Sequence, residues 1–225
     1  MKIIGILGSP RGVGGNTGRL LKLVLEGAIE NGAETEIVLL RGETVKPCKA
    51  CDTCHKKGLC PQKDDFNEIK NRIIEADGLV LASPNYIFHV SAQLKAFIDR
   101  CCGVIHTIAF EGKYGASVVT SGGGEEEPIA EYMNHFMMTT GVMPVGSVWA
   151  TMANLPDYKF TEEIQERAKE LGKRLVNDFK NKTINPEYEE AAAKFRERIR
   201  KLIVWRKEEW PYEYEYWVKN HGMVE

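Results

Sequence analysis

No apolar run in this 225-residue chain approaches the length that a bilayer demands. The first such run, Ile3 to Leu7, is also too short for the core of a secretory leader, and no small-residue cleavage pattern follows it. The expectation is therefore a cytoplasmic protein without a membrane partner. A basic surplus is lacking too: 30 Lys and Arg stand against 32 Asp and Glu, for a formal net charge of -2 and a pI near 6.3. That balance argues against a nucleic-acid partner. Internal repeats and low-complexity tracts are absent. So is any Ser–His–Asp arrangement or carboxylate pair that would suggest hydrolysis. Cysteine, by contrast, is plentiful, with six residues. Where glutathione keeps thiols reduced, six cysteines read as ligands, catalysts or core residues before they read as disulfides.

The hydrophobic fraction of 43% suits a folded chain, and its pattern alternates between strand and helix. Lys2–Leu7 is a continuous apolar run of the kind buried on both faces of a parallel sheet. Asn16 to Asn31 carries helical spacing through Leu20, Leu23, Val24, Gly27 and Ala28. Strands are predicted at 34–40, 78–82, 114–120 and 142–150, and helices at about 64–76, 91–100, 129–140 and 161–180. Five β–α units of this size predict an α/β, doubly wound, five-stranded parallel sheet in the flavodoxin-like order 2-1-3-4-5. On this reading residues 1–182 form one domain with a cysteine-loop insert at 46–63. Residues 183–225 form a helical, aromatic C-terminal extension.

In an open sheet of this order, ligands bind beyond the carboxyl ends of the strands, where strand order reverses. The loop after the first strand, Gly8 to Thr17, runs straight into a helix, and free N–H groups with the helix dipole make such a junction an anion site. Ser9, Asn16 and Thr17 add donors and Arg11 adds a permanent charge, which together suit a monophosphate. The loop is not a Walker loop, since Asn16-Thr17 stands where Lys-Ser/Thr is needed. A dinucleotide fingerprint fails as well, because Thr17 replaces its third glycine and Leu39-Leu40-Arg41 lacks the ribose-binding acid. After the third strand, Pro84, Asn85, Tyr86, Ile87 and Phe88 offer aromatic surface beside amide groups, as a flat ring with a polar edge requires. After the fourth, Ser121, Gly122 and Gly123 let backbone come close to a ligand. Tight turns packed on their own helices are the plainer alternative at each loop.

Cys48, Cys51, Cys54 and Cys60 stand in C-x2-C-x2-C-x5-C, with Gly58 inside the run and Pro61 after it. Short gaps let one loop wrap a compact iron–sulfur cluster. Structural zinc, which prefers two pairs with a longer gap between them, and unliganded redox thiols are the alternatives. His55 reads as a bystander among four thiols, and Cys101 and Cys102 read as core cysteines. The acidic run Glu125–Glu127 reads as a solvated complement to a helix dipole.

At these residues the chain resembles a known family. G-S-P-R…G-N-T, S-P-N-Y, T-S-G-G-G and the cysteine motif followed by K-D-D are similar to the iron–sulfur flavoproteins, in the NADPH-dependent FMN reductase branch of flavodoxin-like proteins. The likeness spans nearly the whole chain, including the terminal W-P-Y-E-Y-E-Y-W. It implies FMN, with Ser9, Arg11, Asn16 and Thr17 at its phosphate and 84–88 and 121–123 bordering its ring. It also implies a [4Fe–4S] cluster on the four cysteines. A homodimer or tetramer is implied, with the cluster near a subunit contact. The expected activity is electron transfer that couples FMN to the cluster, toward a partner such as ferredoxin or a small-molecule acceptor, with NAD(P)H left open as donor. Two alternatives stand beside it: an NAD(P)H-dependent FMN or quinone reductase without a cluster, and a non-enzymatic module held by zinc. Finally, the aromatic tail, with Trp205, Trp210 and Trp217, is expected at a homo-oligomer interface, docking on its own domain being the other reading.

Overall fold

The computed structural model describes residues 1–42 and 44–223; Glu43 and the last two residues of the expected extension, Val224 and Glu225, lie outside the described residues. Five parallel strands pair in the order β2-β1-β3-β4-β5. They are β1 (Lys2–Leu7), β2 (Glu34–Leu39), β3 (Gly78–Pro84), β4 (Tyr114–Ser121) and β5 (Met143–Thr151). The central strands β3 and β4 are buried along their whole length, as their unbroken small and apolar sequences require. Strand β1 pairs with β2 on one side and β3 on the other, so Leu7 faces Leu39 and Ala82. The strand order thus reverses between β1 and β3, and the loops that leave them diverge.

Helices cover both faces of the sheet. One face carries α1 (Asn16–Glu30) and α7 (Glu162–Asn181), whose Leu20, Val24, Ala168 and Leu175 pack on Ile3, Val80 and Val118. These two helices cross almost in backbone contact. A Cβ on Gly172 would stand 1.9 Å from the Val24 carbonyl oxygen, and one on Gly27 would stand 2.0 Å from that of Lys169. The other face carries α3 (Phe66–Glu75), α4 (Ala92–Arg100) and α6 (Glu126–Thr140), packed through Ile69, Phe97 and Met133.

Two helices escaped the sequence reading, α2 (Thr53–Lys57) and α5 (Cys102–Thr107), while α9 (Pro211–His221) falls in the extension expected to be helical. The first two are five and six residues long, too short to display a hydrophobic period. Helix α9 is dominated by aromatics that do not follow a single stripe. With α8 (Pro186–Trp205) it builds a small satellite core of Ile199, Ile203, Trp217 and Ile108. In this chain the tail therefore seats Trp217 on its own domain, while Trp205 stays 75% exposed.

Candidate functional site

The loops at the carboxyl ends of β1, β3 and β4 enclose a cleft of about 310 Å³. Ser9, Arg11, Asn16, Thr17, Pro84, Asn85, Tyr86, Ser121 and Gly122 line it, together with Thr120, Met152 and Tyr158, which sequence reasoning did not select. Helix α1 begins at this floor, so its first N–H groups open toward the cleft. The floor is held by two contacts between distant segments. Thr17 Oγ1 lies 2.7 Å from Thr120 Oγ1, tying the phosphate-type loop to β4. Ser91 caps α4 by accepting from the Leu94 N–H at 3.2 Å and donates its own proton to the Gly8 carbonyl.

Several expected residues also make hydrogen bonds within the chain. Asn16 turns its Oδ1 to Arg19 Nη2 at 2.5 Å. Ser121 donates to Glu126 and accepts the Gly124 N–H at 2.7 Å, so it shapes the loop from within. Glu126 is buried and also accepts from Thr151 at 2.6 Å. This corrects the reading of Glu125–Glu127 as solvated surface: the middle carboxylate is a bracket between the ends of β4 and β5. Ile87 and Phe88 do not line the cleft. They stand out beside it at 89% and 75% exposure with φ of 49° and 62°, and Gly123 lies outside the lining too. A second cation was missed: Arg41, at the end of β2, presses on the phosphate-type loop, where a Cβ on Gly12 would meet its Nη2 at 2.3 Å.

The cleft fits a flavin by one further sign. Asn85 donates from Nδ2 to the Gly124 carbonyl at 2.9 Å, yet its buried Oδ1 has no partner. A buried acceptor left alone is costly unless a ligand completes it. The N–H-bearing edge of an isoalloxazine is such a ligand.

The cysteine loop lies elsewhere, over the helical face. All six cysteines are free thiols; Cys48 and Cys51 are exposed, while Cys54 and Cys60 are half-buried in a pocket of about 180 Å³. Two non-glycine residues of the loop, Ala50 and Asp52, adopt left-handed backbone with φ of 48° and 55°. Gly58, with φ of 70°, ends α2, and the ring of Tyr212 from α9 occupies the space its side chain would need, 2.1 Å from an added Cβ. Asn67 clamps Cys60 from both sides, accepting its N–H at 3.1 Å and donating to its carbonyl at 2.7 Å.

The loop's electrostatic centre is Arg100, a buried guanidinium that no sequence signal marked. It donates to Cys60 Sγ at 3.1 Å, to the Lys46 carbonyl at 3.2 Å and to Asp64. Burial opposes the charge, but the Asp64 and Cys60 contacts outweigh it and raise its pKa. Its Nε is buried without a partner. Burial likewise opposes ionisation of Asp64, and the Arg100 bond with the backbone N–H groups of Lys46 and Phe66 holds it below the usual carboxylate range. At Cys51, hydrogen bonds from Thr53 lower the thiol's pKa. A positive, donor-rich wall facing thiols fits an anionic cluster. Among the described residues, however, the four loop thiols do not gather within 4.8 Å of one another; the one group that does is His55, Cys102 and His106.

That group corrects two sequence readings. His55 is no bystander: it is 5% exposed, and its Nδ1 lies 2.6 Å from Glu213 Oε1. His106 Nδ1 lies 3.0 Å from the other oxygen of the same carboxylate, and Trp210 stacks on the His55 ring and packs tilted against that of His106. Cys101 is core, with burial pushing its thiol up, but Cys102 is half-exposed and hydrogen bonds from His106 and His55 bring it down to about 6. The i, i+4 pair Cys102 and His106 was legible; the partners from 50 and 100 residues away were not.

A doubly wound sheet with a phosphate-type loop and a ring-sized cleft at its reversal point defines a flavodoxin-like oxidoreductase. The chain belongs to the NADPH-dependent FMN reductase family, which residues 1–156 match, and within it to the iron–sulfur flavoproteins. It is 38% identical to an iron–sulfur flavoprotein of Archaeoglobus fulgidus over 81% of this chain and 82% of that one. To another from Methanocaldococcus jannaschii it is 36% identical, over 78% and 96%. In fold it is similar to an FMN-dependent NADH-azoreductase of Bacillus anthracis in complex with FMN. The TM-score there is 0.62 at 18% identity, over 79% of this chain and all of that one. The chain is thus an FMN-dependent oxidoreductase, which sets aside the non-enzymatic zinc module. No described helix is long and apolar enough to cross a membrane.

Proposed function

We propose that this chain couples FMN in the carboxyl-edge cleft to a [4Fe–4S] cluster held by Cys48, Cys51, Cys54 and Cys60, and so serves electron transfer. The observation that carries the proposal is that two of the five buried side-chain polar atoms without partners among the described residues lie at these sites, Asn85 Oδ1 in the cleft and Arg100 Nε beside Cys60. Each sits where its group would complete it. When bound, FMN supplies two-electron chemistry and the cluster one-electron chemistry, so the pair links donors of one kind to acceptors of the other. The chain's own residues bind and orient. Arg11 and the N-terminus of α1 neutralise phosphate, Asn85 fixes the ring edge, and Pro84 and Tyr86 wall the ring. Arg100 and Asn67 hold Cys60 in place, and the Arg100 N–H···S bond favours added negative charge on the sulfur.

The two linings share no residue within one chain. A homo-oligomer that juxtaposes them across a subunit contact suits the apolar rim of Ile87, Phe88 and Tyr158. A ferredoxin-like carrier or a small acceptor would then meet the exposed edge at Cys48 and Cys51, and NAD(P)H would enter at the flavin. A cluster-free NAD(P)H-dependent reductase is the second reading, favoured by the exposure of Cys48 and Cys51. Iron, sulfide and FMN analysis of anaerobically purified protein separates the two. About four irons per chain are expected. Cys51→Ala is expected to lose the iron and keep the FMN. Full FMN with no iron in the wild type would leave only the reductase.

A further inference from the structure

His55 of α2 and Cys102 and His106 of α5 bring three metal-ligating atoms within 4.8 Å of one another, away from the flavin cleft and next to the cysteine loop, where His55 also hydrogen-bonds Cys54. Cys102 and His106 are one helical turn apart, so both project from one face of α5, with Sγ 3.9 Å from Nε2. Glu213, wholly buried, bonds to Nδ1 of both imidazoles at 2.6 and 3.0 Å. A carboxylate on Nδ1 fixes the tautomer of a neutral histidine and leaves the Nε2 lone pair free, the arrangement found behind metal-bound histidines. One carboxylate here does this for two rings at once. Trp210 packs on both, at centroid distances of 4.6 and 5.0 Å, and limits their rotation.

A hydrogen-bonded plug that docks α9 would explain Glu213 and Trp210. It gives no reason for a half-exposed thiol to meet the outward nitrogens as well. Two imidazoles and one thiolate suit a borderline-soft divalent ion, and zinc takes such sets in tetrahedral geometry. Edges of a zinc tetrahedron are about 3.5 Å, given bond lengths of about 2.0–2.3 Å. The ion would thus draw the three ligands inward by about an ångström, and Cys102 and His106 are already near that spacing. The fourth position falls to solvent or to Asp52, whose Oδ1 is 3.9 Å from His55 Nε2. Cys101 is excluded, since its buried Sγ donates to the Phe97 carbonyl at 3.3 Å.

We propose that His55, Cys102 and His106 form a mononuclear zinc site, adjoining the cysteine loop but using none of its four thiols, with Glu213 as the positioning residue behind both histidines. The test uses the full-length protein purified anaerobically, supplied with zinc chloride, freed of loose metal on a desalting column, and assayed for zinc, iron and FMN together. One zinc per chain is expected, with an X-ray absorption signature of mixed nitrogen and sulfur ligation. Cys102→Ala and His106→Ala should each lose zinc and keep iron and FMN. Cys51→Ala should do the reverse for the two metals, and Glu213→Gln should weaken zinc affinity about 10–100-fold. Wild type that retains no zinc overturns the proposal. So does zinc that survives Cys102→Ala, or zinc that leaves with Cys51 instead. An all-sulfur zinc shell in the wild type would also overturn it and needs no variant to fold. Because iron is counted separately, the zinc result stands whether or not the chain holds a cluster.

Discussion

The flavin cleft and the cysteine pocket are built in opposite ways. Every wall of the cleft is a loop that leaves a strand of the central sheet, so the sheet positions it and each loop folds within a few residues of its strand. The cysteine pocket has no such frame. Its loop carries two left-handed non-glycine residues and is held by Asn67, Arg100 and the rings of α9, the last from more than 150 residues away. A site made by topology tolerates changes in its surroundings; one made by distant clamps depends on each of them.

That contrast can be broken at either end. The largest effect should come from Asp64→Asn, which leaves Arg100 buried beside Cys60 without its counter-ion. A loss of about 3 kcal/mol in unfolding free energy is expected near pH 7, on the scale for breaking a buried pair. Because the native Asp64 pKa is depressed, its stabilising effect is complete above the ordinary carboxylate pKa and is lost as pH falls through the native value. Denaturation curves for wild type and variant should therefore converge in acid, and a constant gap down to pH 2 would reject the pairing. Next comes Arg11→Ala, expected to weaken FMN binding by roughly 1.5–3 kcal/mol with iron content unchanged. Unaltered affinity in a fluorescence titration would remove Arg11 from the phosphate site. The smallest is Ser91→Ala, which removes the cap of α4 and the tie to Gly8. It should cost about 1 kcal/mol of stability, and a larger drop in FMN affinity than in stability would show that the tie shapes the cleft.

Legibility in the sequence follows the same division. The five strands, their order and most of the cleft lining were readable, because strand burial and loop-to-helix junctions are local patterns. For Ile87 and Phe88 the sequence could not say which side chains of an aromatic loop turn inward; left-handed backbone at both leaves them exposed beside the cleft. Glu126 misled because an acidic residue at a helix start has an ordinary explanation that hides its bonds to Ser121 and Thr151. Arg100, His55 and Glu213 gave no signal at all. What defines them is which distant residue they meet, and one chain read alone carries no record of that.

Trp210 packs against two imidazoles in a chain with four tryptophans. Its emission is therefore an inbuilt gauge of whether the terminal helix is seated, readable in real time without attaching a dye, and replacing the other three indoles with phenylalanine would isolate that signal.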